Sequence, residues 1–584
     1  MSILTARGTD SPLPPQLIQR EVPPRAAWAL QQAGVSPLLA QLFAARGVRS
    51  AEELDDGLAQ LLPPDGLKGI DAAARLLADA ITQREHICVV ADYDCDGATA
   101  CALSLRGLAL LGADPATLHY VVPDRAVHGY GLTPTIVDLA MALRPQLLMT
   151  VDNGIASLEG VRHAKALGLK VLVTDHHLPA VQDGQPQTPD ANAVLNPNQP
   201  GCGFQSKNLA GVGVAFYLLL ALRSELRQRG RFDERTQPRL DGLLDLVALG
   251  TVADVVRLDA NNRRLVAQGL RRMRAGRMQP GIAALFTAAG RKADQASASD
   301  LGFALGPRIN AAGRLSDMTV GIECLISDDP EQALSLARQL DEINRARRDI
   351  EAGMREQAES RLPALMPDGE IPAALVIHDD DFHEGVVGIL ASRLKDQLHR
   401  PTFVFATGAD GQLKGSGRSI AGFHLRDALD LVSKRHPELL RKFGGHAMAA
   451  GCTLAPGSVP AFTAALQTVA QEWLDPSALT RTLRTDGPLP TEAFKPEVVR
   501  ELDAQVWGQA FEAPLFCDEV EIVSQRIVGE RHLKLRVRFG GLLRDAIWFG
   551  RTDPVPERGL MAYRLQLDEF QGQQRVQMLV ETLL

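Results

Sequence analysis

Short apolar runs alternate with helical patterns between residues 87 and 174, and this alternation constrains the fold more than any other feature of the chain. The runs are Ile87–Ala91, Leu118–Val122, Leu147–Val151 and Val171–Thr174. Continuous apolar runs of this length indicate strands that are buried on both faces, and the helix-length segments between them indicate right-handed crossovers. The region therefore predicts an α/β domain built on a parallel sheet.

The composition is that of a multidomain globular protein. At roughly 100 to 200 residues per domain, 584 residues predict three or four domains. The seven cysteines form no CxxC pair, which argues against a disulfide framework and a zinc ribbon. We find neither a run of roughly 20 apolar residues nor a signal-peptide pattern, so we expect a cytoplasmic protein without membrane contact. The net charge of -8 averages over all domains and does not decide for or against nucleic acid.

Changes of pattern along the chain predict five segments. A helical and extended N-terminal segment (1–64) precedes the parallel-sheet domain (65–330), and a long amphipathic helix (331–365) connects it to a smaller α/β domain (366–480). The last segment (481–584) alternates apolar and polar residues between turns, which predicts a small β-barrel.

Acidic and histidine side chains follow the predicted strand ends of the first domain. They are Asp92, Asp94 and Asp96 after the first run, Asp152 after the third, Asp175, His176 and His177 after the fourth, and Asp254 at the end of a helical pattern. Because the carboxyl ends of parallel strands meet at one edge of the sheet, we expect these groups to lie close together. Crowded carboxylates need a compensating cation, and imidazole beside them suits manganese, iron or zinc better than magnesium. The pattern predicts two-metal hydrolysis of a phosphoester.

The first acidic segment, Asp92-Tyr-Asp-Cys-Asp-Gly97, also matches the start of a calcium loop. A calcium loop needs a bidentate glutamate near position 103, but residues 100 to 111 are apolar apart from Ser104 and Arg106. This excludes the calcium loop.

Two later regions favour contact with nucleic acid. The glycine-rich segments Gly415–Arg418 and Gly444–Gly451 are interpreted as loops. The last domain carries six basic side chains near the aromatic Phe539 and Trp548: Arg526, Arg531, Lys534, Arg536, Arg538 and Arg544. Basic strands with aromatics are typical of the single-strand groove of an OB-fold, although a solvated sheet face has the same alternation. The position of this domain after the predicted catalytic domains favours the OB-fold interpretation.

These motifs together resemble a known superfamily. Asp175-His-His177 and the acidic segments before it resemble the signature of the DHH phosphoesterases, and Gly444–Gly451 resembles that of their DHHA1 domain. Further similar stretches are Val122–Leu132, Leu249–Asp254, Pro307–Leu315, His383–Gly388 and Gly417–Leu425. Roughly residues 65 to 584 are similar to the single-strand-specific 5'-to-3' DNA exonucleases of this superfamily. The resemblance implies a DHH domain, a DHHA1 domain and an OB-fold domain in that order.

The resemblance also implies roles for the acidic and histidine residues. Asp94 and Asp152 would hold one divalent cation, Mn²⁺ or Mg²⁺, while Asp96, His176 and Asp254 would hold a second cation with Asp152 as the bridge. The catalytic set would be Asp152, His176, His177 and Asp92, the last two as neighbours of the metals or contacts to phosphate. Many members of the superfamily have a histidine where this chain has Val90, which implies that the first cation is held more weakly or differently.

The same resemblance implies which residues bind the substrate and which partners the chain has. Arg125, Arg308 and Arg314 would hold a terminal phosphate or the nearby backbone, because a guanidinium matches phosphate oxygens in a bidentate manner. The second domain would contribute Ser416, Arg418, Gly445 and His446. The implied partners of the chain, which we expect to be a monomer, are single-stranded DNA, a single-strand-binding protein and a helicase in recombination and DNA repair.

Two alternatives remain open from the sequence. One is a DHH-type phosphodiesterase that acts on short oligonucleotides or cyclic dinucleotides, or a related pyrophosphatase. Such proteins are typically two domains long, and the β-rich final segment argues against them. The other is a non-catalytic repair scaffold, against which the complete set of acidic and histidine positions argues.

Overall fold

The computed structural model describes residues 14–182, 184–366, 370–408, 410–570 and 573–584, and these divide into two compact units. The larger unit comprises Val22–Asn344 and Arg500–Ala513. The barrel unit comprises the segment that ends at Glu21 together with Arg345–Val499 and Pro514–Leu584. None of the helices in the described ranges is long and apolar enough to cross a membrane.

A five-stranded parallel sheet forms the centre of the larger unit. Its strands are β1 (Ile87–Ala91), β2 (Leu118–Val121), β3 (Leu147–Val151), β4 (Lys170–Thr174) and β5 (Ala193–Leu195). They are arranged in the order β2-β1-β3-β4-β5. Every residue of β1 and β3 is buried, as the continuous apolar runs require. The predicted parallel sheet is confirmed.

Helices surround this sheet. Val90 and Leu148 lie in one buried cluster with side chains of the two helices that follow β2 and β3. The principal helices of the larger unit are Pro24–Gln32, Pro37–Ala44, Ile70–Gln83, Cys95–Leu110, Pro134–Met141, Leu158–Ala166, Gly211–Gln228, Leu244–Ala253, Ala260–Arg274, Pro280–Ala288, Gly306–Leu315 and Thr319–Ile326. The helix predicted between Leu243 and Asp254 is thus present, and Asp254 lies directly at its C-terminal end.

One helix of 36 residues, Pro330–Leu365, belongs to both units. In the larger unit it buries Ala333, Ala337 and Leu340 at steps of three and four residues, which is the spacing of one helix face. The predicted long helix over 331–365 is present with nearly the same bounds.

The barrel unit contains a mixed five-stranded sheet in the order β9-β10-β8-β7-β6. Its strands are β6 (Leu375–Asp379), β7 (Thr402–Thr407), β8 (Leu413–Arg418), β9 (Leu440–Gly445) and β10 (Ala449–Leu454), and its principal helices are Val387–Leu398, Leu425–Arg435 and Val459–Trp473.

The prediction of loops at the two glycine-rich segments is wrong, because both lie largely in strands of this sheet. The cause lies in the packing against β7. A Cβ at Gly415 would lie 2.1 Å from the ring of Phe405, and one at Gly417 would lie 2.4 Å from the ring of Phe403. The glycines therefore make room for aromatic rings on the neighbouring strand rather than for a turn.

The last strands close into a barrel, as predicted. They are β11 (Phe516–Val528), β12 (His532–Phe539), β13 (Leu542–Phe549), β14 (Arg558–Phe570) and β15 (Gln573–Leu583), in the order β11-β12-β13-β15-β14. Along β12, Leu533, Leu535, Val537 and Phe539 are buried, while Arg536 and Arg538, which alternate with the last three of them, are exposed.

Candidate metal centre

The strand register brings three aspartates to one level of the parallel sheet. Ala91 at the end of β1 pairs with Val151 at the end of β3, and Val151 pairs with Thr174 at the end of β4. The next residue of each strand is therefore an aspartate that leaves the sheet at the same edge: Asp92, Asp152 and Asp175. The predicted meeting of these strand ends is present.

Asp152 has a left-handed backbone with φ of 61°. Non-glycine residues adopt this region rarely, and it costs of order 1 to 3 kcal/mol. The turn is held by Asn153, whose buried side-chain amide donates to Val90 O at 3.0 Å and to Val151 O at 2.9 Å. Opposite the turn, a Cβ at Gly211 would lie 2.6 Å from the Cβ of Asp152. Asp152 is thus fixed in a buried position, and residue 211 opposite it has no room for a side chain.

The first acidic segment starts the helix Cys95–Leu110. Asp94 is its N-cap, and its Oδ1 accepts from Gly97 N at 3.0 Å. Asp96 lies in the first turn and is almost completely buried. Its two oxygens accept from Gly211 N at 2.6 Å and from Val212 N at 2.9 Å, at the N-terminus of the helix Gly211–Gln228. Backbone N–H groups at a helix N-terminus stabilise a buried carboxylate.

Asp175 organises the histidine pair. Its Oδ1 accepts from the backbone N–H groups of His176 at 2.7 Å and His177 at 3.1 Å, and from the His177 ring at 2.8 Å. Its Oδ2 accepts from Ile155 N at 2.9 Å. Burial raises the pKa of Asp175, but the hydrogen bond and charge of His177, together with the Ile155 hydrogen bond, outweigh burial and keep its pKa below the usual value. Sequence analysis placed Asp175 among the acidic groups at the sheet edge but assigned it no role, although it begins the Asp-His-His motif.

Three buried atoms converge at the centre of the site. His176 Nε2 lies 3.1 Å from Asp152 Oδ1 and 3.4 Å from Asp254 Oδ2, and Asp96 Oδ2 lies 3.9 Å away. The first three atoms are buried without a hydrogen-bond partner among the described residues. Buried polar atoms without a partner destabilise the folded state unless a cation lies between them. Oxygen and imidazole ligands at this spacing fit a divalent cation.

The five predicted ligands and Asp92, predicted as a neighbour of the metals, form two groups, and within each group the donor atoms lie within 4.8 Å of one another. One group is Asp96, His176 and Asp254, and the other is Asp92, Asp94 and Asp152. Asp152 also groups with His176 and His177, so it lies between the two sets. This arrangement matches the chemistry of a two-cation site with Asp152 as the bridge.

Burial and mutual repulsion raise the pKa values of the central carboxyls. Burial and then the charge of Asp94 raise the pKa of Asp96 to about 7. Burial and the charge of Asp96 likewise raise the pKa values of Asp152 and Asp254 well above the usual range. Burial and the charge of His177 lower the pKa of His176 to about 3, so its imidazole is neutral. A hydrogen bond to the backbone of Leu209 leaves Nε2 of this neutral ring directed at the carboxylates.

His177 behaves in the opposite way. Burial alone lowers its pKa, but the hydrogen bond and charge of Asp175 raise it to about 9. Tyr130 lies beside it, with its hydroxyl 3.0 Å from His177 Nδ1 and donating to Asp152 O at 3.1 Å. Sequence reasoning missed Tyr130, although it belongs to the Val122–Leu132 stretch that carried the resemblance. The site thus places a cationic imidazole beside the carboxylates.

The predicted substrate arginines of the larger unit are in different situations. Arg314 is partly exposed in the last turn of the helix Gly306–Leu315. Arg308 is buried on the same helix, where Nη2 forms an ion pair with Asp341 at 2.8 Å and Nη1 donates to Ala304 O at 2.6 Å. The side chain of Arg125 lies outside the described part of the structure.

The predicted phosphate-binding residues of the barrel unit lie on adjoining strands. Ser416 pairs with Gly451, and Arg418 pairs with Ala449. Arg418 Nη1 donates to Ser416 Oγ at 3.0 Å, and the helix that begins at Val387 approaches both through Gly388, where a Cβ would lie 2.9 Å from Ser416 Oγ. At the opposite strand end, Gly445 has φ of 138° and His446 N donates to Ala449 O at 2.8 Å.

The barrel presents basic side chains on its outer face. Arg526 pairs directly across the strands with Lys534, and like charges in that position destabilise a sheet unless an anion compensates them. Next to β12, a cavity of about 360 Å³ opens between β13 and β15. It is lined by Phe494, Pro496, Arg536, Leu543, Arg544, Asp545, Gln574, Arg575 and Val576. Of the two aromatics considered for stacking, Phe539 faces the barrel core against Tyr563 and is unavailable, which corrects that prediction.

Comparison with known proteins agrees with this arrangement. The chain matches the family descriptions "DHH family, N-terminal domain" over residues 86–251, "DHHA1 domain" over residues 371–472 and "RecJ OB domain" over residues 485–582. These three matches follow one another in the predicted order along the chain.

Relatives match over nearly the full length. The chain is 50% identical over 562 residues to the single-stranded-DNA-specific exonuclease RecJ of Salmonella typhimurium, covering 94% of this chain and 96% of the relative. It is 48% identical over 579 residues to the protein of that name from Escherichia coli, covering 97% and 99%. The crystal structure of RecJ from Thermus thermophilus in complex with Mn²⁺ is similar with a TM-score of 0.79 at 32% identity, covering 97% of this chain and 79% of that one. The corresponding Mg²⁺ complex has a TM-score of 0.74 at 30% identity, covering 97% and 78%. The chain therefore belongs to the RecJ family.

Proposed function

We propose that this chain is an exonuclease that degrades single-stranded DNA from its 5' end to nucleotides by two-metal-ion hydrolysis. The observation that carries the proposal is the convergence of Asp152 Oδ1, His176 Nε2 and Asp254 Oδ2 on one buried point beside a second group of carboxylates. The names of the curated relatives support single-stranded DNA as the substrate.

The residues divide into two cation sites, for which we propose Mn²⁺ or Mg²⁺. Asp96, His176 and Asp254 would hold one ion, Asp94 the other, and Asp152 would bridge them, with Asp92 beside Asp94 and Asp152 in the same group. Bound cations of this kind activate a water molecule for attack on phosphorus and offset charge on the leaving oxygen. The neutral His176 is a ready ligand, whereas the carboxyls with raised pKa values must lose protons before they bind a cation.

His177 and the arginines would hold the phosphates. With a pKa of about 9, the His177 imidazole is protonated at neutral pH, and Asp175 fixes its direction. A directed cation next to the metal ligands suits a non-bridging phosphate oxygen. We propose the same role for Arg125 and Arg314, with Arg308 on the same helix.

The barrel unit would bind the strand through its own basic side chains. The like-charged pair of Arg526 and Lys534 and the arginine-lined cavity on the outer face favour a polyanion. In the mixed sheet, Ser416 would contact phosphates through its hydroxyl, Arg418 through its guanidinium and Gly445 through its backbone N–H. His446, whose N–H donates to Ala449 O, would contribute its imidazole. These contacts read the backbone and not the bases, which fits degradation of any sequence.

Several further properties are part of the proposal. We propose domain bounds of 65–330, 366–480 and 481–584 around the connecting helix 331–365, following the segment 1–64. We also propose that the chain acts as a monomer in the cytoplasm, in recombination and DNA repair, together with a single-strand-binding protein and a helicase. Their support is the membership of the RecJ family and the DNA substrate of its named relatives.

One experiment tests polarity, strand preference and metal need together. Single-stranded and blunt duplex DNA, labelled at either the 5' or the 3' end, are incubated with the protein in Mn²⁺, Mg²⁺ or a chelator. We expect a labelled mononucleotide to appear first from the 5' label, on single strands only, and only with metal. Faster cleavage of a dinucleotide than of a long strand would favour the phosphodiesterase alternative. Equal activity in the chelator would refute the metal mechanism.

A further inference from the structure

The loop that carries Asp94 and Asp96 is held by a side chain from a distant part of the larger unit. The N–H of Cys95, which lies between these two aspartates, donates to Asn310 Oδ1 at 2.8 Å. That N–H belongs to the peptide group that joins Asp94 to Cys95, so Asn310 fixes the orientation of the backbone between the two carboxylates. The helix cap formed by Asp94 satisfies the N–H of Gly97 but not this one.

A second contact lies one turn further along the same helix. A Cβ at Gly313 would lie 1.9 Å from Tyr93 O, so the backbone of the helix Gly306–Leu315 packs directly on the loop. Residues three positions apart lie on one face of a helix, so Asn310 and Gly313 both contact the loop from the same side. The two contacts fall on either side of Asp94, at the Tyr93 carbonyl and the Cys95 N–H.

The helix that makes these contacts is itself well anchored. Ile309, Ala311 and Ala312 are fully buried. The ion pair of Arg308 with Asp341 is almost completely withdrawn from solvent, with side-chain exposures of 10% and 7%. A buried pair holds its geometry because moving either partner would leave an uncompensated charge. The helix can thus act as a rigid support for the metal-binding loop.

We propose that Asn310 is a positioning residue for the cation site, acting through the peptide group between Asp94 and Cys95. The inference rests on the proposed two-cation function and assigns no contact between Asn310 and either cation or DNA. Outer groups that orient ligands typically contribute about 10- to 100-fold in metal affinity. Loss of the Asn310 acceptor should therefore weaken cation binding more than it weakens DNA binding.

The test measures Mn²⁺ affinity of the full chain by calorimetry without DNA, together with the kcat and KM of strand degradation. Asn310→Ala removes the acceptor and should lower Mn²⁺ affinity about 10- to 100-fold, with the KM for DNA unchanged. Asn310→Asp keeps an acceptor oxygen and should restore most of the affinity. Asn310→Ser, whose hydroxyl is too short to reach Cys95 N, provides a second polar variant if the alanine variant does not fold.

Asn192 offers a matched control in the same unit. Its Oδ1 also accepts a backbone N–H, that of Val171 at 2.9 Å, but at the amino end of β4, away from the metal-binding edge. Asn192→Ala should bind Mn²⁺ like the unmodified chain. Unchanged Mn²⁺ affinity in folded Asn310→Ala or Asn310→Ser, or an equal loss in Asn192→Ala, would overturn the inference. Failure of the unmodified chain to bind Mn²⁺ would instead overturn the proposed function on which the inference rests.

Discussion

Cation binding at this site should weaken as the pH falls, because protons and cations compete for the same carboxylates. Asp96 is the group for which the effect can be calculated, since its pKa is raised to about 7. The pKa values of Asp152 and Asp254 are raised in the same direction. His176, with a pKa of about 3, is neutral throughout the accessible range and adds no pH dependence above pH 5.

The size of the effect follows from these values. A carboxyl with a pKa of about 7 is about nine-tenths protonated at pH 6 and about one-tenth protonated at pH 8. Displacement of that proton makes the apparent Mn²⁺ affinity about tenfold lower at pH 6 than at pH 8, or about 1.4 kcal/mol. The protons on Asp152 and Asp254 act in the same direction, so we expect a ratio of about ten or more.

Calorimetric titration of the metal-free chain with Mn²⁺ at pH 6, 7 and 8 measures this ratio. Repeating each titration in two buffers of different ionisation enthalpy counts the protons released, and Asp96 alone should release about 0.9 at pH 6 and about 0.1 at pH 8. A suitable control is Asp245→Asn, because Asp245 is also buried, with a pKa raised to about 6, but belongs to none of the metal groups. Equal affinity at pH 6 and pH 8, or tighter binding at pH 6, would refute the reasoning.

Three further predictions concern single residues. Asp152→Ala or His176→Ala should abolish hydrolysis while single-strand binding largely survives in a gel-shift assay, and undiminished cleavage would show that the site is misassigned. Gly211→Ala should lower kcat about 100-fold, because its Cβ would lie 2.6 Å from that of Asp152 and displace this carboxylate by a fraction of an ångström or more. Arg536→Ala on the outer face of the barrel should reduce the slope of log affinity against log salt by about 0.7 for long single strands. It should leave dinucleotide cleavage unchanged, and an equal loss on both substrates would contradict a separate strand-binding role.

The sequence was sufficient to predict the parallel sheet and the position of the acidic residues at one of its edges. Both follow from local patterns, namely the apolar runs and the residues directly after them. The runs ending at Ala91 and Val151 match β1 and β3 in full, and Asp92 and Asp152 follow them at one edge. The glycine-rich strand β8 could not be predicted in this way. The reason that Gly417 is a glycine lies in the ring of Phe403, which comes from another strand and is invisible in the local pattern.

The identity of the supporting residues was also beyond the sequence pattern. Asn310 lies 215 residues from the N–H that it accepts, and only the fold brings the two together. The role of Asp175 was overlooked for a different reason. Motif reasoning considered only which side chains bind the cations. In the structure, the Asp175 carboxylate instead accepts four hydrogen bonds, and these orient the neighbouring residues. Such support depends on the orientation of each hydrogen bond, and tertiary contacts determine that orientation.

The strained backbone at Asp152 lowers the stability of the fold at the same place where the chain would bind cations. A left-handed aspartate and a set of buried carboxyls with raised pKa values both destabilise the chain locally. Asn153, Tyr130 and the absence of a side chain at Gly211 nevertheless hold Asp152 in this conformation. Local rules that are broken together, and maintained by contacts from neighbouring residues, indicate a site under functional constraint. Divalent cations would offset the repulsion among these carboxylates, so the arrangement that is unfavourable for folding is favourable for binding them.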